Sequence, residues 1–286
     1  MQRALCAFSA HITTFGADTM LKVDNLTKSF GGLCAVNNLS FSLNKKELLG
    51  LIGPNGAGKT TVFNLLTGVI KATSGSVTLD GKNLTNKAPH VITSHGIVRT
   101  FQNLRLMKGL SLLENMKIAF HVSLDYGYKD AFFFSSRYKK EEKEIEESIF
   151  QTLAMLHMED HASISVDDLP YGVQKKAELA RALLFKPQVL LLDEPAAGLN
   201  PTETDEIIEI IQSIHEHSQM GIIIVEHNMK VVMGMSERIL VMNQGALIAE
   251  GIPSEIQNNE EVITAYLGQK AWKKQAVQAE KGEEVC

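Results

Sequence analysis

The period of the hydrophobic pattern changes several times along the 286-residue chain. Leu21–Leu26 and Ala35–Leu43 alternate apolar and polar residues, which predicts two antiparallel strands, each with one buried face. Glu47–Ile52 is a continuous apolar run leading into glycine-rich sequence, as expected of a parallel strand covered on both faces. Thr60–Leu66 then reads as a helix stopped near Gly68, and Val77–Leu79 and Ile97–Arg99 as further strands. From about residue 103 to residue 168 the character becomes helical. Ile145, Ile149, Leu153 and Leu156 recur at helical spacing in a Lys- and Glu-rich stretch, which predicts an amphipathic helix. Alternation of strand and helix resumes with Val189–Leu192 and Ile222–Val225, separated by a helix over about 202–217. Asn200-Pro201-Thr202-Glu203 carries that helix's start signals: a capping Asn, Pro in the first turn and Glu three residues on.

These elements predict one α/β domain over residues 20–267 with a helical subdomain inserted at about 103–168, followed by a polar tail at 268–286. Residues 1–19 leave two readings open, a disordered extension or a start assigned ahead of Met20, because the apolar stretch after Arg3 is short for a signal peptide. Hydrophobic residues at 44% suffice for a substantial core. A net charge of −5 lacks the basic footprint of non-specific nucleic-acid binding, so no nucleic-acid partner is expected. No apolar run approaches the roughly 18–20 residues of a membrane span, so membrane association would be peripheral. Cys6, Cys34 and Cys286 are far apart, without metal-ligand spacing, and read as reduced cytosolic thiols.

Gly53-Pro54-Asn55-Gly56-Ala57-Gly58-Lys59-Thr60, followed by Thr61, lies between a predicted strand and a predicted helix and matches G-x-x-x-x-G-K-[ST]. Its glycines let backbone N–H groups wrap phosphates at a helix N-terminus. Lys59 would reach the β- and γ-phosphates of ATP, and the Thr60 hydroxyl would ligate Mg²⁺. Leu190–Leu192 deliver Asp193 and Glu194 at a strand's C-terminal end, where open α/β sheets bind ligands. Asp193 would hold Mg²⁺ through water, and Glu194 would polarise the attacking water.

The order of phosphate loop, Gln102 after a strand, Leu169–Gln174, Asp193-Glu194 and His227 after a strand resembles the ATP-binding subunit of ABC transporters over residues 20–267. Lys28-Ser29-Phe30-Gly31-Gly32, Val98-Arg99-Thr100-Phe101-Gln102-Asn103, Glu194–Pro201 and Glu226-His227-Asn228-Met229-Lys230 narrow it to the branched-chain amino-acid import ATPase. The resemblance implies a RecA-like P-loop NTPase core with an antiparallel β subdomain and an inserted helical subdomain. It also implies that Phe30 stacks on adenine, where the alternative is a strand residue packed in the core. Gln102 would contact Mg²⁺ or water and relay the state of the site to membrane subunits, and His227 would bond the γ-phosphate and hold the attacking water. Two ATP-binding subunits, identical or paralogous, would close head to tail on two ATP molecules. Their partners would be transmembrane permease subunits at the cytoplasmic face of the inner membrane and, indirectly, an extracytoplasmic solute-binding protein. The alternatives are the ATPase of another ABC system, such as lipopolysaccharide export, or a soluble ABC ATPase.

The family's signature, Leu-Ser-Gly-Gly-Gln, reads Leu169-Pro170-Tyr171-Gly172-Val173 here. Pro170 brings neither hydroxyl nor N–H, so contact with the other subunit's γ-phosphate would rest on the N–H groups of Tyr171, Gly172 and Val173 and on the helix dipole. Tyr126, Tyr128 and Phe132-Phe133-Phe134 cluster in the helical segment and would either dock on the permease or pack internally.

Overall fold

The computed structural model describes residues 19–100, 104–120 and 135–267. Its strands are β1 (Thr19–Phe30), β2 (Leu33–Asn44), β3 (Leu48–Ile52), β4 (Ser74–Leu79), β5 (Lys82–Asn83), β6 (Ile97–Arg99), β7 (Val189–Asp193), β8 (Gly221–Val225), β9 (Arg238–Asn243) and β10 (Ala246–Gly251). Its helices are α1 (Lys59–Leu66), α2 (Pro89–Ser94), α3 (Leu112–Ile118), α4 (Ser136–Met155), α5 (Tyr171–Leu184), α6 (Pro201–His217), α7 (Met229–Met235), α8 (Pro253–Gln257) and α9 (Glu260–Leu267). Tyr126, Tyr128, Phe132–Phe134, Gln102 and the expected tail at 268–286 lie outside the described residues.

The strands form two sheets. One, in the order β2-β1-β4-β5, is antiparallel, as the alternating pattern at its first two strands predicts. The other runs β10-β9-β3-β8-β7-β6, with every neighbour pair parallel except β9 and β10. Its central strands read as continuous apolar runs because helices or the other sheet cover both faces. Leu190 and Leu192 of β7, with Ile222 and Ile224 of β8, point into a core shared with α3 to α6. Val189, Leu191, Ile223 and Val225 point the other way, onto α1 and the antiparallel sheet.

Residues 104–120 and 135–168 carry α3, α4 and two short 3₁₀ turns. The Ile145, Ile149 and Leu153 stripe of α4 is buried as its spacing predicts, and Leu156 beyond its end is buried with it. Lys140–Glu144 and Lys143–Glu147 pair along its solvent face. Lys117 on α3 reaches Glu142 and Glu146 at 3.2 and 2.7 Å, which fixes α4 against α3. Because β3, β7 and β8 are parallel neighbours, the phosphate loop, the Asp193-Glu194 pair and the Glu226-His227 pair emerge at the same edge of the sheet.

Candidate active site

The phosphate loop follows β3 and ends in α1, as its motif requires. Gly53 has φ +149, and a Cβ there would come within 2.1 Å of the Met242 carbonyl oxygen, so the loop can lie against β9 only with glycine at this position. The β9–β10 turn braces the loop's other limb: the Gly245 N–H donates to the Ala57 carbonyl at 2.9 Å, and the Gly245 carbonyl accepts from Asn37 on β2 at 2.8 Å. Lys59 is buried and donates to the Gly53 and Pro54 carbonyls at 2.6 and 3.1 Å. Burial pulls its ammonium below the ordinary lysine range, against the opposing pull of Glu194 and Asp193. The loop thus surrounds a partly desolvated cation, which strengthens its attraction for phosphate.

Asp193, the last residue of β7, is buried and ion-paired at 2.5 Å to Arg99, whose other terminal nitrogen donates to Asn64 on α1 at 2.7 Å. Arg99 therefore links β6, β7 and the helix that follows the phosphate loop. Glu194, directly after the strand, has φ 49, unusual for a residue with a Cβ. Its N–H donates to the Val225 carbonyl at 2.8 Å, and its own carbonyl accepts from Ala197 at 3.1 Å. Its Oε1 lies 2.7 Å from Nε2 of His227, beyond the end of β8. The structure thus brings together Lys59, the Asp193-Glu194 pair and His227, which the sequence placed after three different strands.

Oxygen donors suited to Mg²⁺ are available in the Thr60 hydroxyl, exposed on the first turn of α1, and the Asp193 carboxylate. Phe30 closes β1 with its ring 49% exposed and Lys28 Nζ 4.8 Å from the ring centroid. Phe30 is therefore not packed in the core.

The signature segment opens α5, with Pro170 at the N-cap and no side-chain cap bond. The Tyr171 hydroxyl donates to the Ala197 carbonyl at 3.5 Å. Gly172 meets α6 so closely that a Cβ would sit 2.7 Å from Oε1 of Glu203. Glu203 cannot easily yield, because it is engaged in the capping box with Asn200. Gly172 therefore has a packing role in addition to the N–H role expected for it.

Sequence reasoning assigned no role to Arg99, Glu226 or Lys175. Glu226 is buried and accepts from the Ala196 N–H at 2.8 Å and the His227 N–H at 3.1 Å. Burial pushes its carboxyl above the ordinary range, those N–H groups and that of Asn228 pull it back, and Glu194 adds to the rise. Lys175 on α5 is buried, and burial lowers its pKa while Glu226, Glu178, Glu194 and Asp193 oppose the shift. Arg99 and Glu226 stood inside segments that carried the resemblance, but isolated charged residues at strand ends have no sequence signal for their partners. On α9, burial raises the pKa of the Tyr266 phenol, and the nearby backbone N–H of Gly53 opposes the rise.

Such a loop, strand-end carboxylates and histidine define a P-loop nucleotide hydrolase. Residues 36–197 match the family model described as "ABC transporter", and residues 246–271 match that described as "Branched-chain amino acid ATP-binding cassette transporter". The chain belongs to the ABC transporter family and is an ATPase subunit of a transport system that implies membrane permease partners. Among its relatives is the high-affinity branched-chain amino acid transport ATP-binding protein LivG of Salmonella typhimurium, 44% identical over 250 residues, covering 87% of this chain and 98% of that protein. BraF of Pseudomonas aeruginosa, of the same description, is 42% identical over the same coverage. A solved ATP-binding cassette of an ABC transporter in its ADP conformation superposes with TM-score 0.76 at 30% identity, covering 88% of this chain and 99% of that one. The nucleotide-free form of an ATP-binding cassette superposes with TM-score 0.74 at 31% identity.

Proposed function

We propose that the chain powers import of branched-chain amino acids by binding and hydrolysing ATP with Mg²⁺ at the edge formed by β3, β7 and β8. The observation that carries the catalytic reading is the 2.7 Å contact between Glu194 and His227, beside the buried Lys59 of the phosphate loop. Gly53, Pro54, Asn55, Gly56, Ala57, Gly58, Thr60 and Thr61 surround the phosphates, with Lys59 supplying the charge. Thr60, Asp193 and Gln102 would hold the metal, which would neutralise charge at the phosphates. Glu194 accepts the proton of the attacking water. His227 orients that water and the γ-phosphate, and Phe30 covers the adenine.

Two subunits complete each site, with Tyr171, Gly172 and Val173 of one presented to the ATP held by the other. The N-terminus of α5 favours an anion there through its free N–H groups and dipole, even with Pro170 in place of a hydroxyl donor. The solute class is supported by the LivG and BraF relatives and by the C-terminal match. Uptake of labelled leucine, isoleucine and valine in cells carrying only a Glu194→Gln copy should fall to the level of a gene deletion. Normal uptake of all three, with loss of another solute, overturns the assignment.

Among the described residues no helix is long and apolar enough to cross a membrane. We assign attachment at the cytoplasmic face of the inner membrane to contact with the permease subunits, to which an extracytoplasmic solute-binding protein would deliver the solute. A groove of about 310 Å³ lies between the main sheet and the helical segment, lined in part by Val69, Thr93, Ile118, Ala119, Arg181 and Phe185. Val69 and Phe185 leave apolar surface exposed there. The groove suits an amphipathic cytoplasmic helix of the permease, because it adjoins Arg99, the partner of Asp193, and so connects such a helix to the catalytic edge. Phe185→Asp should cut co-purification with the permease subunits by about tenfold or more, as expected for an apolar anchor at an interface core. Isolated Phe185→Asp should bind ATP as the native chain does.

A further inference from the structure

The loop bearing Glu194 and the loop bearing His227 leave neighbouring strands, and their mutual contact depends on how those loops are held. One latch is backbone to backbone, from the Glu194 N–H to the Val225 carbonyl at 2.8 Å. The other is the Glu226 side chain. Its Oε1 accepts the Ala196 N–H, two residues past Glu194, at 2.8 Å, and its Oε2 accepts the His227 N–H at 3.1 Å. The carboxylate is buried, so water does not substitute for either donor, and an N–H left unpaired there would carry its full desolvation cost. Lys175, on the helix opened by the signature segment, is near enough to feel the charge of this carboxylate and of Glu194 and Asp193. Among the described residues, Glu226 bonds only to backbone beside the two side chains assigned the chemistry: to Ala196 past Glu194, and to His227 and the adjoining Asn228.

We infer that Glu226 is a positioning residue for hydrolysis: its carboxylate clamps the segment after Glu194 to the backbone of His227 and so sets the Glu194–His227 contact. This rests on the roles proposed for Glu194 and His227. The clamp requires acceptors on both oxygens. Glutamine has the same shape but only one acceptor, and its NH₂ would face one of the two N–H donors. The phosphate loop lies on a different strand, so ATP binding is expected to survive.

The test uses the full-length purified chain and single-turnover hydrolysis of radiolabelled ATP by excess protein, with ATP affinity measured separately by titration. Glu226→Gln should slow hydrolysis about tenfold, the scale of one lost hydrogen bond at a buried site, with affinity within about twofold of native. In a His227→Ala background the same substitution should change the rate by less than about twofold, since clamped partners are non-additive. Equal loss in both backgrounds, or a rate loss accompanied by an equal loss of affinity, overturns the positioning role. So does an unchanged rate for Glu226→Gln. Glu194→Gln is measured in parallel. If it is inactive while Glu226→Gln is native, the clamp alone fails; if it too hydrolyses normally, the assigned catalytic site fails with it. Should Glu226→Gln unfold, Ala196→Pro removes the same N–H from the other side of the bond and should give the same pattern.

Discussion

Glu194→Gln should slow ATP hydrolysis by about 10²–10⁴-fold while leaving ATP affinity within about threefold of native, the signature of a lost general base. The geometry argues for this split. Glu194 is held by its own backbone, with φ 49, an N–H bond to Val225 and a carbonyl bond from Ala197, so an isosteric amide keeps the loop in place. Only the proton-accepting oxygen pair changes. The phosphate contacts proposed above belong to Lys59 and the loop before α1, which follows another strand. If closure around ATP precedes hydrolysis, the variant should also accumulate as an ATP-bound dimer by size-exclusion chromatography in ATP. A native rate, or a monomer that no longer binds ATP, would remove Glu194 from the role. The strained φ gives a second check: Glu194→Gly relaxes the backbone but deletes the base, and should be as slow as the glutamine variant.

How much of this was legible in the chain follows from what each feature depends on. β3, β7 and β8 were visible because strands buried on both faces must be apolar throughout, and α4 because one face of it must be. The phosphate loop was visible because a tight, phosphate-wrapping turn restricts residue type at several adjacent positions. The capping box at Asn200 and Glu203 formed as its local spacing indicates. Contacts between distant segments were not visible. Arg99 meets Asp193 across 94 positions and Ala196 meets Glu226 across 30, and no local pattern records either pairing. The β9–β10 hairpin escaped for a related reason. Its outer strand is only partly buried, so it shows neither a continuous apolar run nor a clean alternation, yet its Met242 and Gly245 form the support beneath the phosphate loop. Gly172 shows the converse: its expected role concerns a ligand of another subunit, while its contact with Glu203 is a constraint inside this one.

Lys59→Ala should weaken ATP binding by about 10²–10⁴-fold, the larger of the two effects on affinity in this site. An ammonium bonded to two phosphate oxygens gives two charge-assisted hydrogen bonds, each worth roughly 1.5–3 kcal/mol, and every 1.4 kcal/mol is a factor of ten. Here the cation is partly withdrawn from water and tied to the Gly53 and Pro54 carbonyls, so it also organises the loop that wraps the phosphates. Removing it leaves those carbonyls without their donor and the loop without its central charge. Arginine should not restore binding. Its rigid fork is wider than an ammonium, and Gly53 already lies against the Met242 carbonyl, so the loop cannot open on that side to admit it. Titration with a fluorescent ATP analogue measures both variants. Affinity within about threefold of native for Lys59→Ala would mean that loop N–H groups alone hold the phosphates. Native affinity for Lys59→Arg with loss for Lys59→Ala would instead make charge, and not the loop contacts, the whole of the lysine's contribution.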